Sequence, residues 1–232
     1  MRVLVSVRNV AEAALAAEAG VDFIDLKEPA NGALGALPLA EVRAGVATVR
    51  RLAPAARVSA TVGDWPAEAL EAVTAQARAV AACGVDDVKV GVPPGADALL
   101  VRLGALRQQG LPIVPVLLAD GGVPRTLPSG FAAVMLDTQD KLGGSLRQRL
   151  PLAELAAFVR AVQAGGAWAG LAGALTLDDA RALAPLAPDF LGFRSAVCAG
   201  PRAGALCRQR LDALLAALAA PAEGQGRASG RA

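Results

Sequence analysis

Histidine and tyrosine are both absent from this chain, aromatic residues make up only 3% of it, and only three of its 23 basic residues are lysine. Without His or Tyr, proton transfer near neutral pH falls to Lys, Asp, Glu, Cys or water. Few aromatics and scattered basic residues exclude a nucleic-acid surface built on base stacking. A net charge of +2 implies no strongly charged partner. The three cysteines, Cys83, Cys198 and Cys207, form no C-x-x-C pair, so free thiols, buried in a reducing cytoplasm, are expected. No His and scattered cysteines leave no metal-ligand cluster, and no metal or other cofactor is expected. The N-terminal MRVLVSVRNV lacks a signal-peptide h-region, and no apolar run reaches the ~18 residues of a membrane span.

The lysines that are present, Lys27, Lys89 and Lys141, therefore stand out. A chain that writes its solvated positive charge as arginine does not need lysine for solubility. Lysine can lose its proton and act as a nucleophile or base, and arginine cannot.

Nearly continuous apolar runs at 2–6, 23–27, 57–62, 87–90, 113–116, 132–137, 167–172 and 190–194 read as strands buried on both faces. Between them lie helices with clear punctuation. Asn9 with Glu12 and Thr176 with Asp179 cap two of them, and Pro38, Pro66 and Pro151 open others. The last helix is expected from about Pro201 to Ala219. Between Val116 and Ala132, Gly121, Gly122, Pro124, Pro128 and Gly130 leave room for one helical turn at most. Eight β/α units predict a single (β/α)8 barrel over 1–220, with a short or missing fifth helix and a disordered tail at 221–232. An open doubly wound sheet is the alternative, weakened because no G-x-G-x-x-G follows the first strand.

In such a barrel the active site lies at the C-terminal strand ends. There the sequence collects Asp25 and Lys27, Asp87 and Lys89, Ser59 through Asp64, Asp120, and Asp137 with Lys141 four residues on. Period-two alternation puts Asp25 and Lys27 on one face, and Asp87 and Lys89 on one face. Even strands share inward layers, so Lys27 and Lys89 are expected to face each other across the mouth. Ordinary Lys–Asp salt bridges are the plainer reading of each pair. A dry mouth and a second ammonium disfavour the charged amine, while the neighbouring carboxylates oppose that shift. Small residues after the last two strands, at Gly170 to Gly173 and at Gly192, with Arg194 and Ser195, suit a phosphate held by backbone N–H groups. Gly32 to Gly35, close to Lys27, reads as a lid or a turn.

These segments together resemble the (5-formylfuran-3-yl)methyl phosphate synthase family of methanofuran and methylofuran biosynthesis. The resemblance rests on Asp25-Leu26-Lys27-Glu28-Pro29, Gly32 to Gly35, Ser59 to Asp64, Lys89-Val90-Gly91, Met135-Leu136-Asp137-Thr138 with Lys141, Leu171-Ala172-Gly173 and Gly192-Phe193-Arg194. It implies a cytoplasmic (β/α)8 lyase that joins two glyceraldehyde 3-phosphate molecules into a furan aldehyde, losing phosphate and water. It puts the Schiff-base lysine at Lys27 and the proton acceptor at Lys89, with Asp25, Asp64, Asp120, Asp137 and Lys141 as further pocket positions. The partner is then a small triose phosphate, not nucleic acid or membrane, and Ala/Leu-rich helix faces permit a homo-oligomer. A class I aldolase or transaldolase, and a non-catalytic phosphate-binding barrel, are the alternatives. The strand-eight loop, Cys198-Ala199-Gly200-Pro201-Arg202, is less basic than the family's usual version.

Overall fold

A computed structural model describes residues 1–124, 126–140, 143–200 and 202–219. Lys141 and the tail expected at 221–232 lie outside the described residues. Eight strands, β1 (Arg2–Val7), β2 (Phe23–Leu26), β3 (Arg57–Thr61), β4 (Asp87–Val92), β5 (Ile113–Leu118), β6 (Ala133–Asp137), β7 (Trp168–Leu171) and β8 (Phe190–Phe193), form a closed barrel in chain order, every pairing parallel. All eight coincide with the expected runs to within a residue or two.

The surrounding helices are α1 (Val10–Glu18), α2 (Leu39–Leu52), α3 (Leu70–Ala81), α4 (Asp97–Gln108), α5 (Leu146–Arg149), α6 (Leu152–Ala164), α7 (Leu177–Leu183) and α8 (Arg208–Ala219). No helix occupies the described residues between β5 and β6, where glycine and proline crowd the connection. Pro38 and Pro151 sit just before the first helical residue of α2 and α6. The Thr176–Asp179 capping box is complete. At α1, Asn9 Oδ1 accepts the Glu12 N–H at 2.9 Å, whereas the Glu12 carboxylate turns to other partners described below. α8 begins later than expected, because 202–206 fold back: Cys198 and Leu206 form an antiparallel bridge. No helix among the described residues is long and apolar enough to cross a membrane.

Strand alternation separates two cores. Ile24, Leu26, Val88, Val90, Val134 and Leu136 point outwards and pack beneath the helices. Leu4, Phe23, Val114, Val116, Ala133, Met135 and Phe190 point inwards and fill the barrel. Full burial of one such Leu, Val or Phe contributes about 1.5–3 kcal/mol. Inward positions of β2, β4 and β6 continue upwards as Asp25, Lys89 and Asp137, so the same alternation that builds the core lifts these charges into the mouth.

Candidate active site

Asp25 is the centre of the mouth. It is 1% exposed, and the barrel register sets it beside Ser6 of β1 and Ser59 of β3. Ser59 donates to its Oδ1 at 2.6 Å and Ser6 to its Oδ2 at 3.1 Å. Lys89 Nζ lies 3.1 Å from Oδ1. Burial pushes the Asp25 carboxyl up, but Lys89, Lys27 and the Ser59 hydroxyl together outweigh burial and hold it below its ordinary value of 3.8. Asp25 is thus an ionised anchor rather than a base at neutral pH. A depressed folded value stabilises the fold above pH 3.8, and that contribution is lost as pH falls through the lowered value. Asp25→Asn should therefore be less stable than wild type at pH 7, with the gap closing only in the acid range below pH 3.8, as measured by denaturant melts along a pH series.

Lys27 follows β2 directly and is 6% exposed; its backbone N–H continues the ladder to Val7 O at 3.0 Å. Its ammonium donates to Ala33 O at 3.0 Å and lies within Coulombic reach of Asp25. Lys27 and Lys89 thus converge on one carboxylate across the mouth. Asp87, inward on the same face as Lys89, pairs instead with Arg57 at 3.0 Å. Asp137, 3% exposed, completes the acidic side of the mouth.

The segment 32–35 folds over this cluster. Leu34 is 2% exposed and its tip descends against Gly91; a Cβ there would lie 2.5 Å from Leu34 Cδ1. The remaining space between Leu34, the lysines, Asp137 and Gly173 is narrow, about 30 Å³, and opens to solvent. At its far side Gly173 has φ 113°, and a Cβ there would meet the Thr138 hydroxyl at 3.0 Å. Ala174 follows in the left-handed region at φ 47°, uncommon for a residue with a side chain. Thr138 Oγ1 is buried beside them without a hydrogen-bond partner.

The chain matches the family described as 4-HFC-P synthase over residues 3–215. It belongs to that family. The (5-formylfuran-3-yl)methyl phosphate synthase of Archaeoglobus fulgidus is 32% identical over 242 aligned residues, covering 94% of this chain and 99% of the relative. A Methylorubrum extorquens protein provisionally given the same name is 42% identical over 200 residues, covering 85% and 82%. Among solved structures, phosphoribosyl anthranilate isomerase from Thermus thermophilus has a TM-score of 0.62 at 20% identity, covering 94% of this chain and 98% of its own. Thiamine phosphate pyrophosphorylase from Pyrococcus furiosus has a TM-score of 0.61 at 15% identity, covering 94% and 95%. These likenesses show the fold alone.

Within this 4-HFC-P synthase barrel, Lys27, Lys89, Asp25, Asp137, Gly173, Arg194 and Ser195 all line the mouth. Asp64 and Asp120 do not. Asp64 holds the covering segment, accepting the Leu34 N–H at 3.2 Å. Asp120 accepts the Gln139 and Asp140 N–H groups at 2.6 and 3.0 Å and pairs with Arg149 at 3.1 Å. Both carboxylates order loops and are placed poorly to bind an anion. Arg194 lines the mouth, but its guanidinium is committed elsewhere. It pairs with the buried Glu12 carboxylate and donates to the Ser6, Arg202 and Gly204 carbonyls.

The roles of three contributors were not evident from the sequence, although Ser59 and Arg202 lie in segments that it singles out. Ser6 and Ser59 complete the Asp25 anchor. Arg202 donates to the Pro29 and Gly32 carbonyls at 2.9 and 3.2 Å, so it clasps the covering segment while lining the mouth. Cys83 and Cys198 are buried thiols as expected, whereas Cys207 is half-buried. Burial pushes Cys198 up, away from thiolate chemistry.

Proposed function

We propose that this protein condenses two molecules of glyceraldehyde 3-phosphate into (5-formylfuran-3-yl)methyl phosphate, with loss of phosphate and water, as a cytoplasmic lyase of methanofuran or methylofuran formation. The observation that carries this reading is the convergence of Lys27 and Lys89 on ionised Asp25 in a barrel of the 4-HFC-P synthase family. The Lys27 amine adds to a triose carbonyl and expels water, giving an iminium that acidifies the adjacent C–H. Asp25 lies where its negative charge stabilises that cation. Lys89 takes the proton, the enamine carbon attacks the second aldehyde, phosphate and water are eliminated to form the ring, and hydrolysis of the iminium frees the aldehyde and the Lys27 amine. Aromatisation makes the sequence downhill. Asp137 and Lys141 are assigned to proton transfers at the leaving groups.

The phosphate subsite is assigned to the backbone of Gly173 and Ala174, the Ser195 turn and Arg202. Gly173 and Ala174 both have positive φ, in a turn at the mouth, and backbone N–H groups of such turns suit an anion. The unpartnered Thr138 hydroxyl lies beside them. Arg202→Gln should raise KM for the triose phosphate about 10- to 100-fold, the loss of one charge-assisted hydrogen bond, with kcat changed far less, in steady-state assays.

Incubation with glyceraldehyde 3-phosphate should generate near-ultraviolet absorbance from the furan aldehyde. Borohydride should trap an adduct that peptide mass mapping puts on Lys27. Added dihydroxyacetone phosphate should not raise the yield. A product without that absorbance would point to an aldolase, and an adduct elsewhere would remove Lys27 from its role.

A further inference from the structure

The barrel is hollow at the end opposite the mouth. (β/α)8 interiors are ordinarily filled by stacked layers of side chains. Here a cavity of about 240 Å³ lies below the mouth, with Phe23, Trp168 and Phe190 on one side and Arg57, Asp87 and Lys89 on another. At ~30 Å³ per water, it has room for a file of several waters. Its rim includes the exposed Ala132 and Gly166, and the Arg57 side chain there is 41% exposed, so the cavity opens to solvent at the barrel floor. Its inner end reaches Lys89 and Ser59, both partners of Asp25. Lys27 lines the mouth but not this cavity. Lys89 alone of the two lysines borders both.

We propose that this floor cavity is a hydrated rear passage through which Lys89 exchanges protons with solvent while substrate occupies the mouth. The inference rests on Lys89 being the base of the proposed condensation. Two observations point to such a path. Lys89 is paired as an ammonium with Asp25, and an ammonium must release a proton before its nitrogen can take one from carbon. The mouth is narrow, with Leu34 seated against Gly91 and Arg202 clasping 29–32, so a bound triose phosphate would stand between Lys89 and solvent on that side. In the resting step the N–H proton passes from Lys89 to a cavity water and leaves by the floor as hydronium, freeing the nitrogen lone pair. In the reactive step that lone pair takes the substrate C–H proton, and the bond electrons stay on carbon as the enamine. Asp87 and Arg57, paired to each other along the cavity wall, give the file of waters polar contacts without presenting an unpaired charge.

Plugging the cavity separates this passage from the mouth. Ala133, buried on β6, faces the cavity, and Ala133→Leu fills part of it; Ala133→Val adds less volume and serves if the leucine variant does not fold by circular dichroism. Wild type and variant are treated with cyanate, which carbamoylates neutral amines, and Lys89 and Lys27 are followed by peptide mass mapping. The part of Lys89 modification that arrives by the floor should be lost in the variant, so its rate relative to Lys27, which lines the mouth alone, should fall several-fold. Turnover should fall with KM unchanged, and the solvent deuterium isotope effect on turnover should grow. Lys89 modified at an unchanged rate, not at all in either protein, or slowed in step with Lys27 overturns the passage. Selective slowing of Lys89 with unaltered turnover and isotope effect overturns its use in proton exchange. Should wild type make no furan product, the condensation reading fails, and the labelling ratio alone still judges the passage.

Discussion

Lys27→Arg should reduce furan aldehyde formation by on the order of 10⁴-fold or more and abolish the borohydride-trapped adduct. Arginine keeps the positive charge beside Asp25 and much of the volume, so the fold should persist. What it removes is the lone pair that attacks a carbonyl. Triose phosphate should still bind, as shown by protection against thermal unfolding. A variant that kept appreciable turnover would show that the charge of Lys27, not its nucleophilicity, matters. Lys89→Met completes the contrast. It should lower turnover by about 10²–10⁴-fold, the range for removing a general base, yet still form the Lys27 adduct. Covalent capture without progress would separate the two lysines' tasks.

Arg194→Met should destabilise the protein by about 3–5 kcal/mol, because Glu12 is left as a buried, unpaired charge. For a domain of this size that corresponds to a fall in Tm of roughly 6–20 °C. Glu12 is held from several sides: its oxygens also accept the Arg8 N–H and the Leu206 N–H, each at 3.0 Å. The double variant Glu12→Met/Arg194→Met should recover much of the loss, since a buried pair exchanged for apolar packing is often close to neutral. Below the melting range, KM of Arg194→Met should stay near that of wild type. A large KM rise without a stability loss would return Arg194 to phosphate binding.

Arg194 also shows where reading from sequence ends. An arginine after the last strand of a barrel reads as a phosphate ligand because position is all that the sequence offers. Its partner Glu12 lies 182 residues earlier, disguised as half of a helix cap. Asp64 and Asp120 raise the same issue: a carboxylate at a strand end looks functional, and the backbone N–H groups that each accepts are visible only in the fold. By contrast, Lys27, Lys89 and Asp25 were legible because period-two alternation within one strand decides their direction, and no distant contact is needed. The barrel was legible on equally local grounds: apolar runs, helix caps and the glycine–proline gap after β5. Ser6 was not, because the register of β1 against β2, which sets its hydroxyl towards Asp25, is written in neither strand alone.

The Glu12–Arg194 pair has a bearing on how the chain folds. It fastens α1 to the residue just after β8, 182 residues on. Until β8 arrives, Glu12 has no counter-ion, and any partial barrel that buries it carries that cost. Contacts of such long sequence separation form late and slow the search. During synthesis, then, the nascent chain should stay open and protease-sensitive until β8 has emerged, and half-barrels should not accumulate as stable species.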